Sequence, residues 1–200
     1  MIWLFWLKWI LATTTSAVVV NFAIQVLASL SYRVVLYSVA RTLTSSIFIF
    51  LYQSLTGGIL GALLFGLAVG SAQWLVLRTQ IILTSRYILA TSLGWGLAGI
   101  LVNYNYIGIV GGIMVGIAQW LVLKRKFFQA TWWMIANILG WGLSSFIGYR
   151  VFSILNPYIG IFEVAVNPGT LVVGVSTSIS AAITGLVLIW LLKYKQRNSR

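Results

Sequence analysis

Polar residues interrupt the apolar runs of this chain at helical spacing, not strand spacing. In the run that ends GSAQWLVLRTQ, Gly66, Gly70, Gln73 and Leu77 fall at i, i+4, i+7 and i+11, which is one stripe of a helix. In the run that ends GIAQWLVLKRK, Gly108, Gly112, Gly116 and Gln119 form the same kind of stripe. Other runs carry Ala90, Gly94 and Ala98, then Ala136, Gly140, Ser144 and Gly148. The pattern predicts helices at about Trp9 to Leu30, Gly57 to Leu77, Tyr87 to Val102, Ile107 to Leu123, Trp132 to Tyr149 and Thr170 to Leu192. Several hold only 16 to 18 residues, at the short edge of the roughly 17–25 that cross a bilayer.

The words repeat. Gln73-Trp74-Leu75-Val76-Leu77 maps onto Gln119-Trp120-Leu121-Val122-Leu123 at an offset of 46, and the same offset carries LGWGL from Leu93–Leu97 to Leu139–Leu143. Two different words at one spacing define a repeated unit: a helix ending in AQWLVL and a base, a basic loop, then a helix containing LGWGL. WILAT at Trp9–Thr13 matches YILAT at Tyr87–Thr91 at an offset of 78. The last helix, Gly185 to Lys193, reads as an AQWLVL-type helix without its Gln. The expected fold is an all-α, polytopic transmembrane bundle, one domain over residues 1–200, with hairpin-like repeats at about 9–77, 87–123 and 132–192 and an insertion at 31–56.

Composition agrees with the pattern. Of the 200 residues, 60% are hydrophobic and 7% charged, against roughly 25% charged in a soluble domain. Lipid accepts such a surface because helices close their own backbone hydrogen bonds. With the N-terminus inside, Lys8, Arg78, Arg86, Lys124, Arg125, Lys126, Lys193, Lys195, Arg197 and Arg200 share one face, and only Arg33, Arg41 and Arg150 remain outside. That is the positive-inside distribution, with both termini cytoplasmic. Trp3, Trp6, Trp9, Trp74, Trp120, Trp132, Trp133 and Trp190 fall near the inner boundary, where interfacial rings are expected.

The connection Ser31 to Thr56 admits two readings. It is an interfacial amphipathic helix with Ser38, Arg41 and Ser45 on one face, or a seventh span. The parallel WILAT and YILAT helices favour six, since a seventh would invert the first relative to the third. The N-terminus reads as a retained first span, because it has neither a basic n-region nor an A-x-A site.

The ionisable inventory is 13 Lys plus Arg, one acid (Glu163), no His and no Cys. It removes the ligands of metal sites and the parts of Ser-His-Asp, Cys-His and paired-carboxylate catalysis. The chain is read as not an enzyme and without a resident cofactor. A net charge of +12 would suggest nucleic acid in a soluble protein. Here the bases cap apolar segments, so Lys124, Arg125, Lys126, Lys193, Lys195 and Arg197 are assigned to anionic lipid or a cytoplasmic partner, and nucleic acid is not expected.

Small residues at every fourth position let helix backbones approach, so Gly66, Gly70, Gly94, Gly112, Gly116 and Gly140 are expected at helix interfaces, with Gln73 and Gln119 hydrogen-bonding across them. The functional alternative has the two Gln lining a pathway or holding a solute. Trp95 and Trp141 lie within their spans, either filling an interhelical gap or forming a wall for a flat apolar ligand such as a lipid tail or pigment. Glu163, in a loop bracketed by Pro157 and Pro168, is expected to be solvated or paired.

At the AQWLVL and LGWGL words the chain resembles a loosely defined set of small polytopic bacterial membrane proteins, frequent in photosynthetic bacteria, with tandem GxxxGxxQWLVLR and LGWxLG hairpins. The likeness runs from about Lys8 to Lys193 and departs at Ser31–Thr56 and at the missing Gln of the last helix. It implies a bacterial inner or internal photosynthetic membrane and carries over no catalytic residue. The expected role is a structural or accessory membrane protein, packed as a homo-oligomer or within a larger complex and touching lipid or pigment. The alternative is a passive channel or transporter for a small solute or anion.

Overall fold

The computed structural model describes residues 2–37, 58–101, 107–155 and 168–198. They form six helices and, among the described residues, no strand: α1 (Ile2–Tyr37), α2 (Ile59–Leu77), α3 (Arg86–Leu101), α4 (Ile107–Leu123), α5 (Thr131–Leu155) and α6 (Pro168–Asn198). Ser38, Arg41, Ser45, Pro157 and Glu163 lie outside the described residues, as do the side chains of Arg33, Lys195 and Arg197.

Three helices are longer than their apolar pattern suggests: α1 has 36 residues, α5 has 25 and α6 has 31. The first seven residues of the supposed connection Ser31–Thr56 continue α1. No Gly or Pro interrupts Ser31–Tyr37, Tyr149–Leu155 or Leu192–Asn198, so nothing in the backbone stops these helices where their apolar runs end. Three segments are long and apolar enough to cross a membrane, Ile2–Leu30, Ile59–Leu77 and Gly169–Tyr194, and Gly108–Leu123 is a shorter apolar helix.

Each helix packs on its neighbours in sequence, and α6 packs on α1, so the six close into a ring. Helix direction alternates around it. A cluster that includes Phe5, Trp9, Leu77, Tyr87, Leu123, Trp133, Leu188 and Leu191 gathers the start of α1, α3 and α5 with the end of α2, α4 and α6. This is the basic end of the bundle, since Lys8, Arg78, Arg86, Lys124, Arg125, Lys126 and Lys193 are exposed there.

The exterior is apolar, unlike that of a soluble bundle, while the interior mixes apolar and polar side chains. Leu11, Val19, Phe22, Leu93, Leu139 and Phe146 are exposed, whereas Thr13, Gln73, Thr91, Gln119, Asn137, Ser144, Thr177, Ser180 and Thr184 are buried. An apolar exterior of this extent, on helices long enough to span, associates the chain with a membrane.

Trp9 and Trp133 correct the expectation that the tryptophans near this end are interfacial anchors. Both are 0% exposed and stack edge to face at 5.7 Å. Position along a helix sets depth, but helical phase sets direction. Each precedes by four residues a buried polar side chain, Thr13 or Asn137, and so shares its inward stripe. Trp3, Trp132 and Trp190 are exposed at this end.

The two short loops are pinned alike. Ile81 N donates to Leu77 O at 3.1 Å and Phe127 N to Leu123 O at 2.9 Å, both extending the last helical turn. Ile81, Leu83, Phe127 and Ala130 are buried beneath the loops. Arg78 lies over the Trp74 ring at 4.7 Å, and Lys124 over Trp120 at 4.6 Å.

Candidate functional site

One set of buried polar groups converges near the basic end. Gln73 Oε1 accepts from the Tyr87 hydroxyl at 3.1 Å and from Gln119 Nε2 at 3.2 Å. Gln119 Nε2 also donates to Thr91 Oγ1 at 2.8 Å, and Gln119 Oε1 accepts from Trp133 Nε1 at 2.9 Å. The Thr91 hydroxyl in turn donates to Tyr87 O at 2.9 Å. The two glutamines are thus brought together, and each amide oxygen receives the aromatic donor of the following helix. That donor lies 14 residues downstream in both hairpins.

A third pair has the same form without a connecting loop. Trp9 Nε1, on α1, donates to Thr184 Oγ1, on α6, at 3.3 Å. Trp9 stands where Tyr87 and Trp133 stand in their helices. Thr184 stands where Gln73 and Gln119 stand: each is followed four residues later by a fully buried leucine, Leu188, Leu77 or Leu123. The spacing of the last cation hid this correspondence, because α6 runs past Lys193 to Asn198 and its base is no longer a stop signal. The ring therefore consists of three like units, α2–α3, α4–α5 and α6–α1, the third closed without a connecting loop.

Close backbone approach holds the linked units together. A Cβ on Gly66 would lie 2.7 Å from Ser92 Cα and 3.0 Å from Trp95 Cβ, and a Cβ on Gly112 would lie 2.8 Å from Trp141 Cβ and 3.0 Å from Asn137 O. On Gly70 it would meet Thr91 Cβ at 2.8 Å, and on Gly116 Asn137 Cβ at 3.2 Å. Gly94 and Gly140 face the next unit instead, against Val115 Cα at 2.7 Å and Ser180 Cα at 3.3 Å. No described glycine has a positive φ, so their use is the missing Cβ.

Trp95 and Trp141 meet edge to face at 4.6 Å, and Phe65 packs edge to face on both. Each ring is thus faced by another ring. Room for Trp95 comes from Gly111, whose Cβ would overlap the indole, and not from its flanking glycines, since Gly94 faces Val115 and Gly96 faces Leu63. Trp95 Nε1 is buried without a hydrogen-bond partner, as is Thr13 Oγ1.

At the basic end, Lys124, Arg125, Lys126 and Lys193 are exposed. The loop tips carry Ile82, 88% exposed, and Phe128, 94% exposed, at the repeat offset. The residues that sequence reasoning missed are Tyr87, Trp133, Trp9 and Thr184. The offsets of 46 and 78 held the signal, because they align Trp9, Tyr87 and Trp133 one turn before Thr13, Thr91 and Asn137.

Chemically, the network holds amides, hydroxyls and indoles. It exchanges hydrogen bonds without moving charge. No protein-family model, curated protein or solved structure matches the chain.

Proposed function

We propose that the chain is an integral membrane structural or accessory protein that spans the bilayer six times with both termini cytoplasmic, and packs against itself or a larger membrane complex while contacting lipid. The observation that carries this reading is the axis. Trp9, Tyr87, Leu77, Leu123, Trp133 and Leu188 are fully buried across the basic end, and beside them the uncharged polar groups of Gln73, Tyr87, Thr91, Gln119 and Trp133 are bonded to one another. Such a core stabilises a rigid ring and holds no side chain that is charged at neutral pH, the group on which a coupled transporter usually relies. The alternation of helix direction and the row of exposed bases at one end support six spans with that end inside. Exposed bases beside Trp74 and Trp120 suit anionic headgroups.

A passive channel for a small neutral solute draws support from the buried hydroxyls of Thr13, Thr177, Ser180 and Thr184 along α1 and α6. The filled axis at the basic end opposes it in this conformation. The test is purification from the native membrane in mild detergent, with mass spectrometry of proteins and lipids and an absorption spectrum of the same fraction. A stoichiometric protein partner, lipid or chromophore supports the accessory reading. A bare monomer with none of these overturns it, and flux in liposomes abolished by Gln73→Leu with Gln119→Leu would put the channel in its place.

A further inference from the structure

The three units of the ring make different use of one layer of polar side chains. In the first cross-unit contact, the amide nitrogen of Gln119 reaches the hydroxyl of Thr91 in the preceding unit at 2.8 Å. Thr91 corresponds to Thr13 at the offset of 78, and Gln119 to Gln73 at the offset of 46. Rotating the contact by one unit therefore pairs Gln73 with Thr13, across the interface of the neighbouring helices α1 and α2. Thr13 Oγ1 is buried there, 1% exposed, and has no hydrogen-bond partner.

The Gln73 amide is oriented for this. Both of its hydrogen bonds run through Oε1, one from Tyr87 on α3 and one from Gln119 on α4. The planar amide holds its nitrogen away from those two donors, and α1 is the remaining neighbour of α2 in the ring. The two groups do not bond directly, so the contact that Gln119 makes with Thr91 is not duplicated.

We propose that a water-sized neutral hydroxylic ligand, water in the native membrane, binds between α1 and α2, accepting a hydrogen bond from Gln73 Nε2 and bridging to Thr13 Oγ1. A buried hydroxyl left without a partner is costly, whereas one ordered water at a polar site satisfies two groups at once. A charged ligand would be buried there without a counter-charge, because Gln73, Thr13, Tyr87 and Gln119 bring none to the layer. This makes the third cross-unit contact water-mediated where the first is direct.

Thr13→Val tests the site, because it removes the hydroxyl while keeping the shape. With a bridging ligand, the unfolding equilibrium constant in mixed micelles rises about threefold, the effect of an average membrane hydrogen bond, and the change is not additive with that of Gln73→Leu. Thr13→Ser retains most of the wild-type stability. An experimental structure that resolves ordered water then shows a density peak within hydrogen-bonding distance of both Gln73 Nε2 and Thr13 Oγ1. Stabilisation or no change in Thr13→Val, additivity with Gln73→Leu, or no density between the two groups overturns the proposal.

Discussion

Two of the three units in the ring have a loop joining their helices, and the third, α6 with α1, has none. The difference appears in what holds each together. The linked units pack glycine against backbone: Gly66 on Ser92 and Gly112 on Asn137 and Trp141, with Cβ positions 2.7 to 3.0 Å from their neighbours. Across α6–α1 the tightest glycine is Gly185, against the Trp6 and Trp9 rings, while Gly174 has only Val18 Cγ2 at 3.2 Å. That interface relies on side-chain hydrogen bonds spread along its length. Trp6 Nε1 donates to Ala182 O at 3.1 Å, Trp9 to Thr184, Thr14 and Ser178 hydroxyls pair at 3.1 Å, and Asn21 Nδ2 donates to Thr170 Oγ1 at 3.2 Å. A short loop fixes the register of two helices covalently. Where it is missing, directional bonds at several depths fix the register instead, each worth about 0.6 kcal/mol in lipid.

This contrast orders the expected effects of substitution, measured as reversible unfolding in mixed micelles. Gly66→Ala and Gly112→Ala strike the linked units hardest. The new Cβ meets backbone, which cannot rotate away, and the loss is about 3 kcal/mol, the upper range of overpacking. Equal tolerance of Ala at Gly66 and at Gly174 would break the comparison. Gln119→Leu comes next, at about 2 kcal/mol, because it leaves the Trp133 indole N–H buried without an acceptor. Thr184→Val removes one bond of several in the unlinked unit and costs about 1 kcal/mol or less. Gly174→Ala and Gly142→Ala close the series within about 0.5 kcal/mol, since Gly142 has nothing within 4 Å and Val18 can shift.

Much of this was legible in the chain. The offset of 46 aligns Gln73 with Gln119 and Gly66 with Gly112, and the structure places those pairs in matching surroundings because equal words bring equal neighbours. The helical character of the described residues and the three membrane-length helices follow from long apolar runs that no internal proline interrupts. The continuation of α1, α5 and α6 beyond their apolar runs was not legible, because hydropathy reports where a segment suits lipid and not how far its backbone stays helical. The acceptor role of Thr184 was hidden by its chemistry, since a hydroxyl there does the work of a longer amide. Trp9 and Trp133 were misplaced because depth was read from position while direction was left unread. The partnerless N–H of Trp95 has no signal in sequence, since it depends on Trp141 and Phe65 arriving from two other helices.

The closure of the ring by its first and last helices is the claim on which the third unit, and the comparison with the other two, depends. The chain has no cysteine, so a single introduced pair can be read without background. Thr14→Cys with Ser178→Cys replaces two hydroxyls that lie 3.1 Å apart, within reach of a disulfide after small side-chain adjustment. Ring closure predicts rapid oxidation within one chain, seen as a faster-migrating monomer that reverts with reductant. Failure to cross-link, or cross-linking only between two chains, would contradict it.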